Sequence, residues 1–325
     1  RQSDYNEAIT YFNKAISTSE TLEINDEIPL SRLYSALART YHQHGFASDD
    51  TSYIRKALNA YQKTVPLLND KQAIPIRNNI AVAYNNLGKT DSAITTQNEV
   101  LQQRIAAFGA QSYEAAVSYN NLASAHYQQK NYDKALYYFE QYIVIYEAID
   151  YDHIYGIGQA YTAIGDIYLA KNKLIDNTGE QQQQYVDKAL AAYQKALVLM
   201  CYDFESLDLG RNPAINQGNQ NTFVLNALID KAWALHNYSG NYTLAWQTYE
   251  TALQLVDSLR LDFTSENTQL SFNDNLYPTY EGAIQTAVLL YEQTGDRKFA
   301  EQAFRLAEQS KTFLLRAALQ DQKAK

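Results

Sequence analysis

Cysteine is almost absent from this chain. Cys201 is the single copy in 325 residues, so no disulfide forms within it and no cysteine-rich metal site can be assembled. Long apolar runs are missing too: none approaches the roughly 18 residues that begin to cross a bilayer, and no secretory signal opens the sequence. With no membrane partner indicated, the compartment read from the chain is the cytoplasm. A leader upstream stays open, because Asp4-Tyr5-Asn6-Glu7-Ala8 already reads as part of a repeating unit. Basic residues are outnumbered, 27 Lys and Arg against 36 Asp and Glu for a net charge of −9. No segment concentrates them, which speaks against a nucleic-acid partner. Glycine-rich phosphate loops are lacking. The five histidines (His42, His44, His126, His153, His236) are scattered, and His42 and His44, two apart, point to different sides of a helix. The carboxylate pairs Asp49-Asp50, Asp150/Asp152 and Asp203/Glu205 fall near helix starts or in loops, where acids serve exposed N–H groups. No catalytic residue, metal ligand or cofactor is expected, and Cys201 reads as a buried, inert thiol.

What is present is periodicity. From Tyr119 to Ile143, Tyr119, Leu122, Ala123 and His126 share one helical face, and Tyr132, Ala135, Phe139, Tyr142 and Ile143 share another, with a polar turn over Gln128 to Asn131 between them. Ala123 and Ala135 are small enough to let the two backbones approach, while Tyr119 and Phe139 fill the grooves. The unit recurs, marked by an alanine in its second helix: Ala8, Ala57, Ala93, Ala135, Ala189, Ala245 and, less regularly, Ala303. Four residues beyond the first six stand Phe12, Tyr61, Gln97, Phe139, Tyr193 and Tyr249. Copies lie 36 to 58 residues apart, so a repeat of about 34 residues is stretched by insertions. This pattern resembles the tetratricopeptide repeat (TPR). The resemblance implies an all-α fold, an α-solenoid winding as a right-handed superhelix of about six to seven helical hairpins. A core made by stacking neighbours accommodates 46% hydrophobic residues, and half-buried rings suit 28 tyrosines.

The sequence divides into a repeat array over 1–201, beginning inside a hairpin, an irregular connection over 202–221 around Gly210-Arg211-Asn212-Pro213, and further hairpins over 222–325 that lead toward a downstream domain. Insertions fall at 46–52 and at 171–184, the latter ending in four glutamines. Gly45 reads as a helix end, Pro66 as a stop and Pro75 as a helix start.

In repeats of this kind the first helix of each hairpin lines a concave groove. The candidate partner-binding positions are Arg39, His42, Asn78, Asn85, Asn120, Tyr127, Asp166 and Asn237, a neutral, amide-rich set suited to an extended protein or peptide. The chaperone-binding subclass holds terminal carboxylates with several cations, and here only Arg39 supplies one. The paired Asn78-Asn79 and Asn120-Asn121 resemble the kinesin-light-chain subclass, where one asparagine of each pair faces the ligand; equally, they satisfy neighbouring helix ends. The run Ala303-Phe304-Arg305-Leu306-Ala307-Glu308-Gln309-Ser310-Lys311-Thr312-Phe313-Leu314-Leu315, with the hairpins before it, resembles the segment joining TPR arrays to caspase-like CHAT protease domains in bacteria. That resemblance implies a scaffold or sensor that holds a partner and, through the helix over Phe299 to Leu319, governs a protease domain beyond Lys325. A free-standing adaptor and the input region of a bacterial signalling kinase or transcription regulator are the alternatives. Oligomeric state and partner identity are not readable.

Overall fold

A computed structural model describes residues 2–21, 27–149, 154–174, 179–216, 221–262 and 266–324. Among them every regular element is helical, and the chain forms two compact units, Arg1–Tyr151 and Asp152–Lys325.

The first unit comprises α1 (Gln2–Thr21), α2 (Glu27–Ser48), α3 (Thr51–Thr64), a 3-10 turn (Val65–Leu67), α4 (Asp70–Asn86), α5 (Thr90–Phe108), α6 (Tyr113–Gln128) and α7 (Tyr132–Ala148). Each helix packs on the next, and α2 with α3, α4 with α5 and α6 with α7 form hairpins. The marker alanines explain the closeness of these pairs. Ala57, Ala93, Ala123 and Ala135 are buried, and Tyr61 and Phe139 fill the space beside them. The turns after α4 and α6 each use one left-handed residue, Gly88 (φ 69°) and Lys130 (φ 60°), a conformation glycine adopts freely and lysine does not.

Two boundaries differ from the sequence reading. The extra residues after Gly45 partly lengthen α2 to Ser48, so the left-handed residue is Asp49 (φ 52°). Gly45 lies inside the helix, where a Cβ would come 2.7 Å from Ile54 Cδ1 and 3.0 Å from the Asp50 carbonyl; its smallness serves packing. Helix α4 starts before Pro75, at a capping box in which Asn69 Oδ1 accepts from Gln72 N–H and Gln72 Oε1 from Asn69 N–H. Pro66 does coincide with the end of α3, in the 3-10 turn.

The second unit comprises α8 (Ile154–Lys173), α9 (Gly179–Met200), α10 (Thr222–Ala234), a π-helical turn (Leu235–Ser239), α11 (Tyr242–Asp262), α12 (Glu266–Thr294) and α13 (Arg297–Ala324). Here α8 pairs with α9, α10 with α11 and α12 with α13. The described parts of the 171–184 insertion mostly extend the arms of α8 and α9, and residues 175–178 lie outside the described residues. Small residues again admit rings: Cβ atoms on Gly165 and Gly282 would overlap the rings of Tyr193 and Tyr249, both fully buried.

The irregular stretch read as a connection lies inside this unit and is held by a buried lysine. Lys231 Nζ, with its residue fully buried, donates to Gln194 Oε1 (2.7 Å), Asn212 Oδ1 (2.9 Å) and the Arg211 carbonyl (3.2 Å). Gln194 Nε2 donates to the carbonyls of Ser206, Asp208 and Arg211. Burial lowers the Lys231 ammonium to about 8, yet three acceptors saturate its donors. Residues without regular structure are thereby fastened to α9 and α10, and Phe204 is buried with them.

Candidate functional site

The expected groove residues fall into two sets, one per unit. In the first, the amides connect successive first helices. His42 on α2 pairs with Asn86 Nδ2 on α4 at 2.9 Å. Asn78 on α4 accepts at Oδ1 from Asn121 Nδ2 on α6 (3.0 Å) and from Gln97 Nε2 on α5 (3.4 Å), while Asn79 is hydrogen-bonded to Tyr61. Asn78, Asn79 and Asn121 therefore each bond to a neighbouring helix, and Asn78 spends its oxygen internally. Arg39 is exposed, and Asn120 and Tyr127 are half-buried; the Asn120 carbonyl takes the Ser124 hydroxyl (3.1 Å) and the Tyr127 ring lies 6.1 Å from that of Tyr132.

Between α4, α5 and α6 lies a cavity of about 280 Å³. Its walls are Val82, Asn85 and Asn86 from α4, Gln97 from α5, and Asn121, Ser124 and Gln128 from α6, over a floor of alanines. Of the expected residues Asn85 lines it directly, and from the second asparagine pair it takes Asn121. The lining is neutral throughout. Two acceptors, Asn85 Oδ1 and Gln97 Oε1, are buried with no donor of the protein against them, and Gln97 is only 1% exposed. A buried oxygen left this way costs about 1–3 kcal/mol until an N–H meets it, and both belong to residues that line the cavity. Sequence reasoning placed Gln97 in the same column as the rings and gave it no further role, and it named Asn121 as half of an asparagine pair; Asn86 and Gln128 carried no signal beyond their place on helices flanking the cavity.

In the second unit, Asp166 on α8 is half-buried and accepts the Tyr193 hydroxyl at 2.7 Å. Burial raises its carboxyl to about 6, against the lowering effect of that hydrogen bond. Asp230 on α10 is raised as well, first by burial and then by the charge of Asp166. Asn237 is exposed in the π-helical turn and donates from Nδ2 to the Trp233 carbonyl at 2.9 Å.

Cys201 is buried, and burial pushes its thiol up to about 12, so it is no thiolate at neutral pH. His126 stacks on Tyr138, His44 on Tyr5, and His236 Nδ1 pairs with Thr286 Oγ1 at 2.8 Å. Asp50 caps α3, accepting from Ser52 N–H at 2.8 Å. His153, Asp150 and Asp152 lie outside the described residues. Among the described residues no group of three or more His, Cys, Asp or Glu is placed to hold a metal ion, and no helix is long and apolar enough to cross a membrane.

The chain is 27% identical over 173 residues, 53% of its length, to response regulator aspartate phosphatase E of Bacillus subtilis, and this match spans 44% of that protein. Its fold is similar to the crystal structure of BtubC (BKLC) from P. vanneervenii (TM-score 0.52, 17% identity, covering 79% of this chain and 92% of that one) and to the apo form of RapI (TM-score 0.51, 12% identity, covering 97% and 86%). Residues 72–148, which span most of α4 and the whole of α5, α6 and α7, match the family model of the tetratricopeptide repeat. The helices that build the pocket thus lie almost wholly within the stretch that matches tetratricopeptide repeats.

Proposed function

We propose that the first unit binds an extended segment of a partner protein along the groove side of α2, α4 and α6, with Arg39, His42, Asn78, Asn85, Asn120 and Tyr127 along that face and the amide pocket at its centre. Asp166 and Asn237 are proposed as contacts of the second unit. The observation that carries this reading is the pair of buried, unpaired acceptors on Asn85 and Gln97, two residues that line a neutral cavity. An extended segment offers N–H groups at regular intervals. At about 280 Å³ the space is slightly under the roughly 300–1,000 Å³ of small-molecule sites, which suits one side chain of a longer chain. The test is selection of a random peptide library on the protein, followed by affinity measurement on Ser124→Arg, which puts a long cation on the pocket wall. The expected result is binding weakened about tenfold or more, equivalent to at least ~1.4 kcal/mol; equal affinity would remove the pocket from the site.

The same reading extends to the whole protein as a sensor region governing a CHAT-type cysteine protease domain, so that the full-length protein would act as a caspase-like enzyme while this region itself does not catalyse. The run 303–315 supports it: on α13, Ala303 and Leu306 face inward while Phe304 is 70% exposed, leaving an aromatic available to a neighbouring domain. The coding sequence beyond Lys325 decides this, since a caspase-like domain with a His/Cys pair is required. A stop would favour a free-standing adaptor. The match to a response regulator aspartate phosphatase favours a third reading, bacterial signalling, in which the partner is a response regulator; pulldown with phosphorylated and unphosphorylated response regulators of the same genome tests it.

A further inference from the structure

We propose that the pocket between α4, α5 and α6 selects a carboxamide side chain, asparagine or glutamine, projecting from the bound segment; this rests on the peptide-binding reading above for the chain that carries the amide.

The pocket lies at a repeat that lacks the ring five others carry. Four residues beyond the marker alanine, five copies place a ring: Phe12, Tyr61, Phe139, Tyr193 and Tyr249. In α5 the position is Gln97, and the space remains open above Ala81 and Ala93. The orientation of the Gln97 amide is fixed by its neighbours. Asn78 Oδ1 receives the Asn121 amide at 3.0 Å, so the group facing it from Gln97 has to be Nε2; turning the amide would set two oxygens against each other. The Gln97 oxygen is thus left as an acceptor, and Asn85 contributes a second.

Donor chemistries differ in how they satisfy such a site. A backbone N–H brings one hydrogen for two acceptors. An ammonium or guanidinium brings enough hydrogens, but the lining contains no carboxylate, and an unpaired buried charge is far costlier than a neutral group. A primary amide brings two N–H donors without charge. Its own oxygen can accept from Gln128 at the exposed rim or from the remaining Asn121 N–H. Aspartate or glutamate, of the same shape, would place oxygen against oxygen.

The test uses N-acetyl-asparagine amide as the probe, titrated into the isotope-labelled protein while the side-chain NH2 resonances of Asn85, Gln97 and Asn121 are followed by NMR. The matched aspartate, leucine and arginine amides serve as competitors in shape and charge. Saturable shifts at those three amides, with affinity about tenfold above the other probes, are expected. Gln97→Tyr, which restores the ring of the other repeats, should abolish them, and Gln97→Glu should reverse the order in favour of the arginine probe. Equal response to the leucine probe, or no saturable shift up to the solubility of the asparagine probe, overturns the proposal and leaves the cavity to solvent. A selected library that binds with no preference for Asn or Gln overturns it while leaving peptide binding intact. A probe that saturates the pocket when no library peptide binds overturns the peptide-binding reading and leaves the carboxamide preference standing.

Discussion

Gly165→Ala adds a single methyl group at one of the close helix contacts of the second unit. On an exposed helix this change stabilises by about 0.8–1 kcal/mol through backbone entropy. Here the new Cβ would stand 2.7 Å from Tyr193 Cζ and 2.8 Å from Cδ1, with Cε1 closer still. Tyr193 cannot retreat easily: its side chain is fully buried and its hydroxyl is engaged by Asp166 at 2.7 Å. Overpacking of this kind costs about 1–3 kcal/mol, and displacing the hydroxyl forfeits about 0.5–1.5 kcal/mol more. Repulsion outweighs propensity, and the net expectation is a loss of about 2 kcal/mol, or a Tm about 4–8 °C lower for a unit of this size. Urea and thermal unfolding of the wild type, Gly165→Ala, Tyr193→Leu and the double variant measure it as a cycle. The double variant should recover most of what the alanine loses, because the smaller side chain vacates the contested space. A Gly165→Ala protein as stable as the parent, or more so, would refute the idea that small residues against rings set the spacing of these helices.

Asp166→Asn should stabilise the protein at neutral pH. The folded carboxyl sits near pH 6 against an ordinary 3.8, so its ionisation penalty is absent below about 3.8, grows as pH rises through that window and is complete above it; Asp230 has the same sign. The variant should therefore gain about 1–2 kcal/mol over the parent at pH 7.5 and nothing near pH 3.5 in parallel melts, and a constant offset would contradict this. His126 works in the opposite sense. Burial, with a smaller contribution from Lys134, lowers its pKa, so a penalty appears as pH falls through 6.5; His126→Phe, which keeps a ring against Tyr138, should flatten that acid limb. Lys231→Met strips donors from Gln194, Asn212 and the Arg211 carbonyl, at a cost of about 2–4 kcal/mol on the scale of charged hydrogen bonds and broken buried networks. Limited proteolysis should then cut within 202–216, where the wild type resists.

The helix pairs were legible because their determinants are local and periodic: alanines and rings at fixed offsets mark the same places in the structure, from Ala57 with Tyr61 to Ala245 with Tyr249. Less legible was what polar residues do once helices stack. The asparagine pairs look alike in sequence, yet the carboxamides of Asn78 and Asn121 meet across 43 residues of chain while Asn85 is left with a bare oxygen. No periodicity encodes that difference, because it depends on which neighbour arrives opposite. The Lys231 network was invisible for the same reason: its partners lie 19 to 37 residues away, one in α9 and two in the irregular stretch. Two boundaries could have been read better. Asn69 with Gln72 spells a capping box ahead of Pro75, and Gly45, which reads as a helix end, lies inside α2, where its smallness answers the approach of Ile54.

Photo-crosslinking locates the bound segment most directly. A benzoylphenylalanine introduced at Val82, on the pocket wall, and another at Phe46, exposed at the end of α2, are irradiated with a library-selected peptide at saturating concentration. Adducts from position 82 and none from position 46 are the expected outcome. Adducts from position 46 alone would place the partner elsewhere and contradict the account.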